Sequence, residues 1–205
     1  NSAIIQDKNG AFYIANQNVT LSYNGKRWTS IEATTNKRFF KFAKGKDGTI
    51  YTGGVGEIGW LASDDVGNIH FKSLKAKIPK EAQSFETVFN VVSDSAGNVF
   101  FLDKTWLLMW DGTTMRAYKS KLAYRRAINV HGQIMIQSKE DGLLIFRNLE
   151  LQKLAFSESM DSLQIKGIHL KNLVQPANLY IITYDQGLFG FDGQRLEKIP
   201  SPLDG

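Results

Sequence analysis

Cysteine is absent from the 205-residue chain, proline occurs 4 times, and no apolar run reaches the roughly 18 residues that a membrane-spanning helix needs. The missing cysteine excludes a disulfide scaffold. The scarcity of proline leaves the turns to the 18 glycines. An excess of one charge is lacking too: 25 basic residues face 20 acidic ones, for a net charge of +5. The densest basic groups, Lys37-Arg38, Lys75 to Lys80 and Arg125-Arg126, are short and scattered. A nucleic-acid binder would carry a basic stripe or tail, so nucleic acid is not an expected partner. A hydrophobic share of 42% with 22% charged residues excludes disorder, and an aromatic share of 12% is high. The chain starts at Asn1 without Met or a signal peptide and is expected to be a processed or excised piece.

What is present is a repeat. One turn type recurs as Asp7-Lys8-Asn9-Gly10, Lys46-Asp47-Gly48, Asp94-Ser95-Ala96-Gly97 and Val130-His131-Gly132, with a degenerate fifth copy at Gln175-Pro176-Ala177-Asn178. A strand-like run follows each, such as Ala11-Phe12-Tyr13-Ile14 or Gln133-Ile134-Met135-Ile136. Asn/Asp-Gly between apolar runs is a strong hairpin signal, because the turn residues must accept a positive φ. A second turn family interleaves with the first, at Asn24-Gly25, Gly67-Asn68, Asp111-Gly112, Arg147-Asn148 and Asp192-Gly193. Its anchors Gly25, Gly67, Gly112, Asn148 and Gly193 are separated by 42, 45, 36 and 45 residues. Four short strands in a period of about 40–50 residues are the signature of a β-propeller blade. The expected fold is therefore all-β: a propeller of about five four-stranded antiparallel blades, at approximately 1–36, 37–83, 84–122, 123–163 and 164–205. With no strand left over to pair the two termini, the chain is expected to be an incomplete propeller, an excised arc or a ring closed only by neighbour contacts. Two segments could hold short helical turns: Lys77 to Phe85, with Pro79 at a first helical position, and Phe156 to Gln164.

Several motifs point to chemistry that the pattern does not support. Gly54-Val55-Gly56-Glu57-Ile58-Gly59 matches G-x-G-x-x-G, but no helix follows to hold a pyrophosphate, so a Gly-rich hairpin is expected there. His70, His131 and His169 fall in three different repeats without metal-ligand spacing, so no metal is expected. Asp7, Asp47, Asp94, Asp111 and Asp192 occupy repeated turn positions, where a carboxylate caps local N–H groups. Asn18-Val19-Thr20 is a formal glycosylation sequon. No G-x-S-x-G or other nucleophile constellation is readable, no cofactor is implied, and no catalytic residue is named. Ligands of propellers usually sit over the channel mouth, at one end of the inner strands. The inner strands are expected just before the first turn family. Arg38, Tyr124, Arg125, Arg126, Lys166 and His169 lie where these strands begin and form a candidate mouth for an anion or a sugar.

The order of these motifs resembles a known family. Ile4-Ile5-Gln6-Asp7-Lys8-Asn9-Gly10-Ala11-Phe12-Tyr13-Ile14 with Leu21-Ser22-Tyr23-Asn24-Gly25-Lys26-Arg27-Trp28 looks like the opening blade of bacterial two-component-regulator propellers. The run from Ile50 to Leu61, the Ile78-Pro79 loop with Phe85-Glu86-Thr87-Val88, Trp110-Asp111-Gly112 and the run from Gly187 to Gly193 are similar to later parts of the same family. Asn18-Val19 and Arg147-Asn148 depart from the family's Gly-Leu and Asp-Gly. The resemblance implies a periplasmic sensor domain of an inner-membrane signalling protein. Its output would be cytoplasmic: a histidine kinase, a GGDEF diguanylate cyclase or a DNA-binding regulator. The resemblance implies no fixed ligand residues. The domain is accordingly expected to bind a small molecule, a saccharide or an anion, or else a protein or a second copy of itself, and not to be an enzyme. A scaffold without a small ligand is the alternative, and a propeller lyase or glycosidase the third reading. Any membrane association would run through an anchor outside this chain.

Overall fold

Strands of four to seven residues separated by glycine turns can bury their apolar faces only by stacking sheet on sheet. The computed structural model describes residues 3–15, 20–31, 39–171 and 178–200. Among them twenty strands form five antiparallel four-stranded sheets, each in sequential order. The first blade holds β1 (Ala3–Gln6), β2 (Phe12–Ala15), β3 (Thr20–Tyr23) and β4 (Trp28–Ile31). The second holds β5 (Phe39–Lys44), β6 (Ile50–Gly54), β7 (Glu57–Ser63) and β8 (Ile69–Ser73). The third holds β9 (Asn90–Ser93), β10 (Val99–Leu102), β11 (Trp106–Trp110) and β12 (Met115–Lys119). The fourth holds β13 (Tyr124–Val130), β14 (Gln133–Ser138), β15 (Gly142–Arg147) and β16 (Glu150–Lys153). The fifth holds β17 (Ile165–Leu170), β18 (Leu179–Thr183), β19 (Leu188–Phe191) and β20 (Leu196–Ile199). The all-β blade architecture expected from the repeat is thus present. The first three blades form one compact unit, Asn1–Ser120, and the last two a second, Lys121–Gly205.

The turns work as their residues dictate. Asp7 Oδ1 accepts the N–H groups of Asn9 and Ala11 at 2.8 and 3.0 Å, and Asp192 Oδ1 accepts those of Gln194 and Arg195 at 2.9 and 2.8 Å. These bonds hold the Asp192 carboxyl below its ordinary range, and bonds from Thr114, Arg116 and Thr113 do the same for Asp111. Where Asp-Gly is missing, Asn148 and Leu149 take φ of 51° and 63°. Positive φ at both central residues suits a tight hairpin, and Asn148 stands at the position the period assigns. The G-x-G-x-x-G segment is the β6–β7 hairpin, with Gly54 paired to Glu57. The degenerate turn at Gln175 to Ala177 and the sequon's Asn18 lie outside the described residues.

Cores lie between consecutive blades of a unit. Ile58 of the second blade packs with Phe101, Leu108 and Trp110 of the third. In the second unit Met135, Leu143 and Ile145 of the fourth blade pack with Ile168, Ile181 and Phe191 of the fifth. Each fully buried large side chain stabilises by roughly 1.5–3 kcal/mol. The connection from Leu74 to Val88 belongs to the core of the second and third blades, in which Leu74, Ile78, Ala82, Phe85 and Val88 are all buried. It holds two short 3-10 turns, Lys75–Lys77 and Lys80–Ala82, and Pro79 precedes the second as its cap. Apolar residues spaced along this segment draw it onto the sheet. A third turn, Glu158–Met160, does the same through buried Met160.

Candidate functional site

The first strand of three blades carries one extra residue at its start. In β5 Phe39 and Lys41 pair with consecutive residues Gly54 and Gly53, which leaves Phe40 unpaired in the ladder. In β13 Tyr124 and Arg126 pair with Ser138 and Gln137, leaving Arg125. In β17 Ile165 and Gly167 pair with Thr183 and Ile182, leaving Lys166. A bulge inserts one residue and re-aims its neighbours. The burial pattern records this: Tyr124 and Ala127 are buried while Arg125 and Arg126 between them are not, and Ile165 and Ile168 likewise bracket Lys166 and Gly167. Strict alternation would leave one open position in each case.

These bulges bring two cations to one ring. Tyr184, just beyond β18, is 60% exposed. Its N–H donates to the Gln164 carbonyl at 2.9 Å, and the Gln164 amide donates to Asp185 Oδ2 at 3.2 Å, which ties the turn to the start of β17. Arg126 Nη1 donates to the Tyr184 hydroxyl at 3.3 Å, and its guanidinium carbon lies 5.8 Å from the ring centroid. Lys166 Nζ lies 5.9 Å from the same centroid. A cation near an aromatic ring is attracted by the ring quadrupole, by about 0.5–1 kcal/mol at exposed sites. Among the described residues neither cation forms an ion pair.

Below Tyr184, Ile182 and Tyr180 continue the same face of β18, 37% and 40% exposed. His169 pairs with Tyr180 from β17, and Lys171 Nζ stands 5.2 Å from the Tyr180 ring. The result is a cationic and aromatic strip on the fifth blade, reached by Arg126 from the fourth.

The six residues expected at the mouth have different fates. Arg126 and Lys166 meet at Tyr184. Arg125 is exposed at its bulge, and His169 is exposed further along β17. Tyr124 is 4% exposed, and its hydroxyl is pushed well above the usual phenol range by burial first and by Glu140 and Asp141 second. Arg38 lies outside the described residues. Tyr184, Tyr180 and Lys171 were not singled out by the sequence. Tyr184 is 58 residues from Arg126, and no local motif links them. Among the described residues no three His, Cys, Asp or Glu side chains are grouped to hold a metal ion, and no helix is long and apolar enough to cross a membrane.

No protein-family profile and no curated protein sequence matches the chain. Solved structures do. Virginiamycin B lyase from Staphylococcus aureus superposes with a TM-score of 0.63 at 13% identity, over 97% of this chain and 70% of the lyase. The extracellular domain assigned to a one component system of B. thetaiotaomicron gives 0.62 at 16% identity, over 97% of this chain and 27% of that one. A gluconolactonase from Xanthomonas campestris gives 0.51 at 13% identity, over 95% and 73%. Identities this low establish the fold alone. They also correct one expectation. The domain was expected not to be an enzyme, yet its fold is shared by a lyase and a gluconolactonase. Blades contribute side chains from distant parts of the sequence, so the lack of a readable catalytic motif gives no ground for excluding catalysis. The chain is a propeller-fold domain, of a kind found in lyases, lactonases and extracellular sensor regions alike.

Proposed function

We propose that this domain is an extracytoplasmic ligand-binding module of a bacterial signalling protein, with the strip on the fifth blade as its site and an acidic saccharide as its ligand class. The observation that carries this reading is the pair of cations around exposed Tyr184, free of ion pairs among the described residues. A ring face accepts the C–H face of a sugar, and guanidinium and ammonium groups accept its carboxylate. The likeness to an extracellular domain assigned to a one component system supports the sensory part, as does the resemblance of the repeat order to two-component-regulator propellers. In this reading the domain is periplasmic, and its ligand-bound form favours one state of a cytoplasmic output such as a diguanylate cyclase or histidine kinase.

The test is a calorimetric titration of the 205-residue chain with tri-galacturonate and with neutral cellotriose, followed by analysis of the mixture for products. The acidic trimer binds and the neutral one binds at least about tenfold more weakly, and R126Q with K166Q removes the difference. Equal binding of both sugars, or binding untouched by the double variant, refutes the site. Conversion of the trimer to product would replace a sensory reading with a catalytic one.

A further inference from the structure

Residues of the first and second blades line a concavity. Its volume is about 480 Å³, within the range of small-molecule sites. Turns of both families rim it: Asp7 to Asn9, Asn24 and Arg27 from the first blade, Gly48-Thr49 and Gly67-Asn68 from the second. In the second blade these turns lie at the opposite end of the sheet from the Phe40 bulge.

Apolar side chains form its deepest part. Tyr13, Ile50 and Leu61 line it, and their exposures are 3%, 3% and 8%. Its polar groups are already engaged. The Tyr13 hydroxyl donates to Asp7 Oδ2 at 3.0 Å, and burial together with Asp7 raises that phenol far above its ordinary pKa. Asp7 Oδ1 holds two backbone N–H groups, as described. Ser22, 8% exposed, donates to the Thr29 carbonyl at 3.4 Å. Asp7 therefore accepts from three donors of its own blade, the Asn9 and Ala11 N–H groups and the Tyr13 hydroxyl.

The rim is different. Lys8 packs its stem over Gly48, with Cδ 3.2 Å from where a Cβ would sit. The nearby Asp47 carboxyl is lowered first by the Thr49 N–H and hydroxyl, and the Lys8 ammonium acts in the same direction. Arg27 lines the cavity and is exposed, and among the described residues it forms no ion pair. The side chain of Asn24 is turned to the backbone, accepting from Lys26 and Arg27 N–H at 3.1 and 2.9 Å. The cavity thus joins an apolar floor to a rim with a net positive charge.

We propose that this inter-blade cavity binds a small arylalkyl carboxylate, its apolar body on Tyr13, Ile50 and Leu61 and its acid group at Arg27. An apolar body gains from leaving water, and the planar guanidinium pairs with a carboxylate through two parallel N–H bonds. This site shares no residue with the strip on the fifth blade and does not depend on the role proposed there.

The experiment is a calorimetric titration of the whole chain with phenylacetate, 3-phenylpropionate and indole-3-acetate, each beside its uncharged primary amide. At least one acid saturates, and its amide binds about tenfold more weakly. R27Q lowers the acid to the level of the amide. T29W, which places a large ring on the rim strand β4, abolishes binding of both, and its far-ultraviolet circular dichroism matches the unsubstituted chain. The R126Q/K166Q variant binds the acid normally, which separates the two sites. The proposal is overturned if no acid saturates, if acid and amide bind equally, or if R27Q and T29W bind as the unsubstituted chain does.

Discussion

The side-chain amide of Gln137 donates to the carbonyl of Leu163 at 2.7 Å from a position only 2% exposed. The same nitrogen donates to the Met160 carbonyl, also at 2.7 Å. A residue on the second strand of the fourth blade therefore holds the connection that leads into the fifth. Q137L fills the space but leaves two carbonyls without a donor, and a buried unsatisfied group costs about 1–3 kcal/mol. The expected loss is roughly 2–5 kcal/mol, read from the urea midpoint at constant slope.

Glycines separate into those that need space and those that need a special backbone angle. A Cβ on Gly53 would sit 2.6 Å from Val88 Cγ1, although its φ is ordinary. Gly67 has φ +88° and open space around it. Gly142 combines both constraints, with φ +72° and a clash against the Ser157 carbonyl, a loop pinned by Ser157 Oγ accepting the Leu143 N–H at 2.9 Å. G67A should cost about 1–2 kcal/mol through backbone strain alone. G53A should cost about 1–3 kcal/mol through overpacking. G142A should cost more than either. Thermal denaturation of the three variants tests the order.

Acid should loosen the start of the second unit. Burial works against the charge of Glu140, but the N–H groups of Leu122, Ala123 and Lys121 outweigh it and hold the carboxyl down at about 2, below its ordinary 4.5. A folded pKa below the unfolded one contributes stability that is present above 4.5 and is lost as the pH falls toward 2. E140Q should be less stable than the unsubstituted chain at pH 7, and the gap should narrow steadily as the pH falls through that window. Urea midpoints measured from pH 7 to pH 2.5 decide it, and a gap independent of pH would remove Glu140 from the account.

The ring of Tyr184 and its hydroxyl make separable contributions. Y184F retains the face near Arg126 and Lys166 and loses the 3.3 Å bond to Arg126. Y184A loses both. In the tri-galacturonate titration Y184F should weaken binding by a few-fold, and Y184A by tenfold or more, on the scale of about 1.4 kcal/mol per decade. Added salt should weaken the unsubstituted chain's binding as well, because exposed charges are screened within about 8–10 Å at physiological ionic strength.

The blade pattern was legible because its signals are local. Asp or Asn beside Gly at a turn, as at Asp111-Gly112, needs only its immediate neighbours to be interpreted. The bulges were not, since the extra residue in Tyr124-Arg125-Arg126 looks like any strand until its partner strand is laid beside it. Arg126 and Lys166 were named for their charge and their place at the start of a strand. Tyr184, the group they share, closes a turn on another strand and carries no mark in the sequence. Burial misled at Tyr124, where an aromatic beside two arginines looks like part of a mouth but packs inward. The cavity between the first two blades went unread because its walls come from four turns, each of which is fully explained by local capping.

The bulges also change how freely the ends of the blades can vary. Arg125 and Lys166 stand outside the ladder at the same register of their blades, between buried neighbours that carry the packing. Substitution there alters what the rim presents without moving a core side chain or a ladder bond. One scaffold can therefore display cations at one blade and other groups at the next, and recognition can drift from protein to protein while the sheets beneath stay as they are. Exchanging Arg125 and Lys166 between their two positions is the simplest demonstration: it should leave the midpoint of unfolding in place.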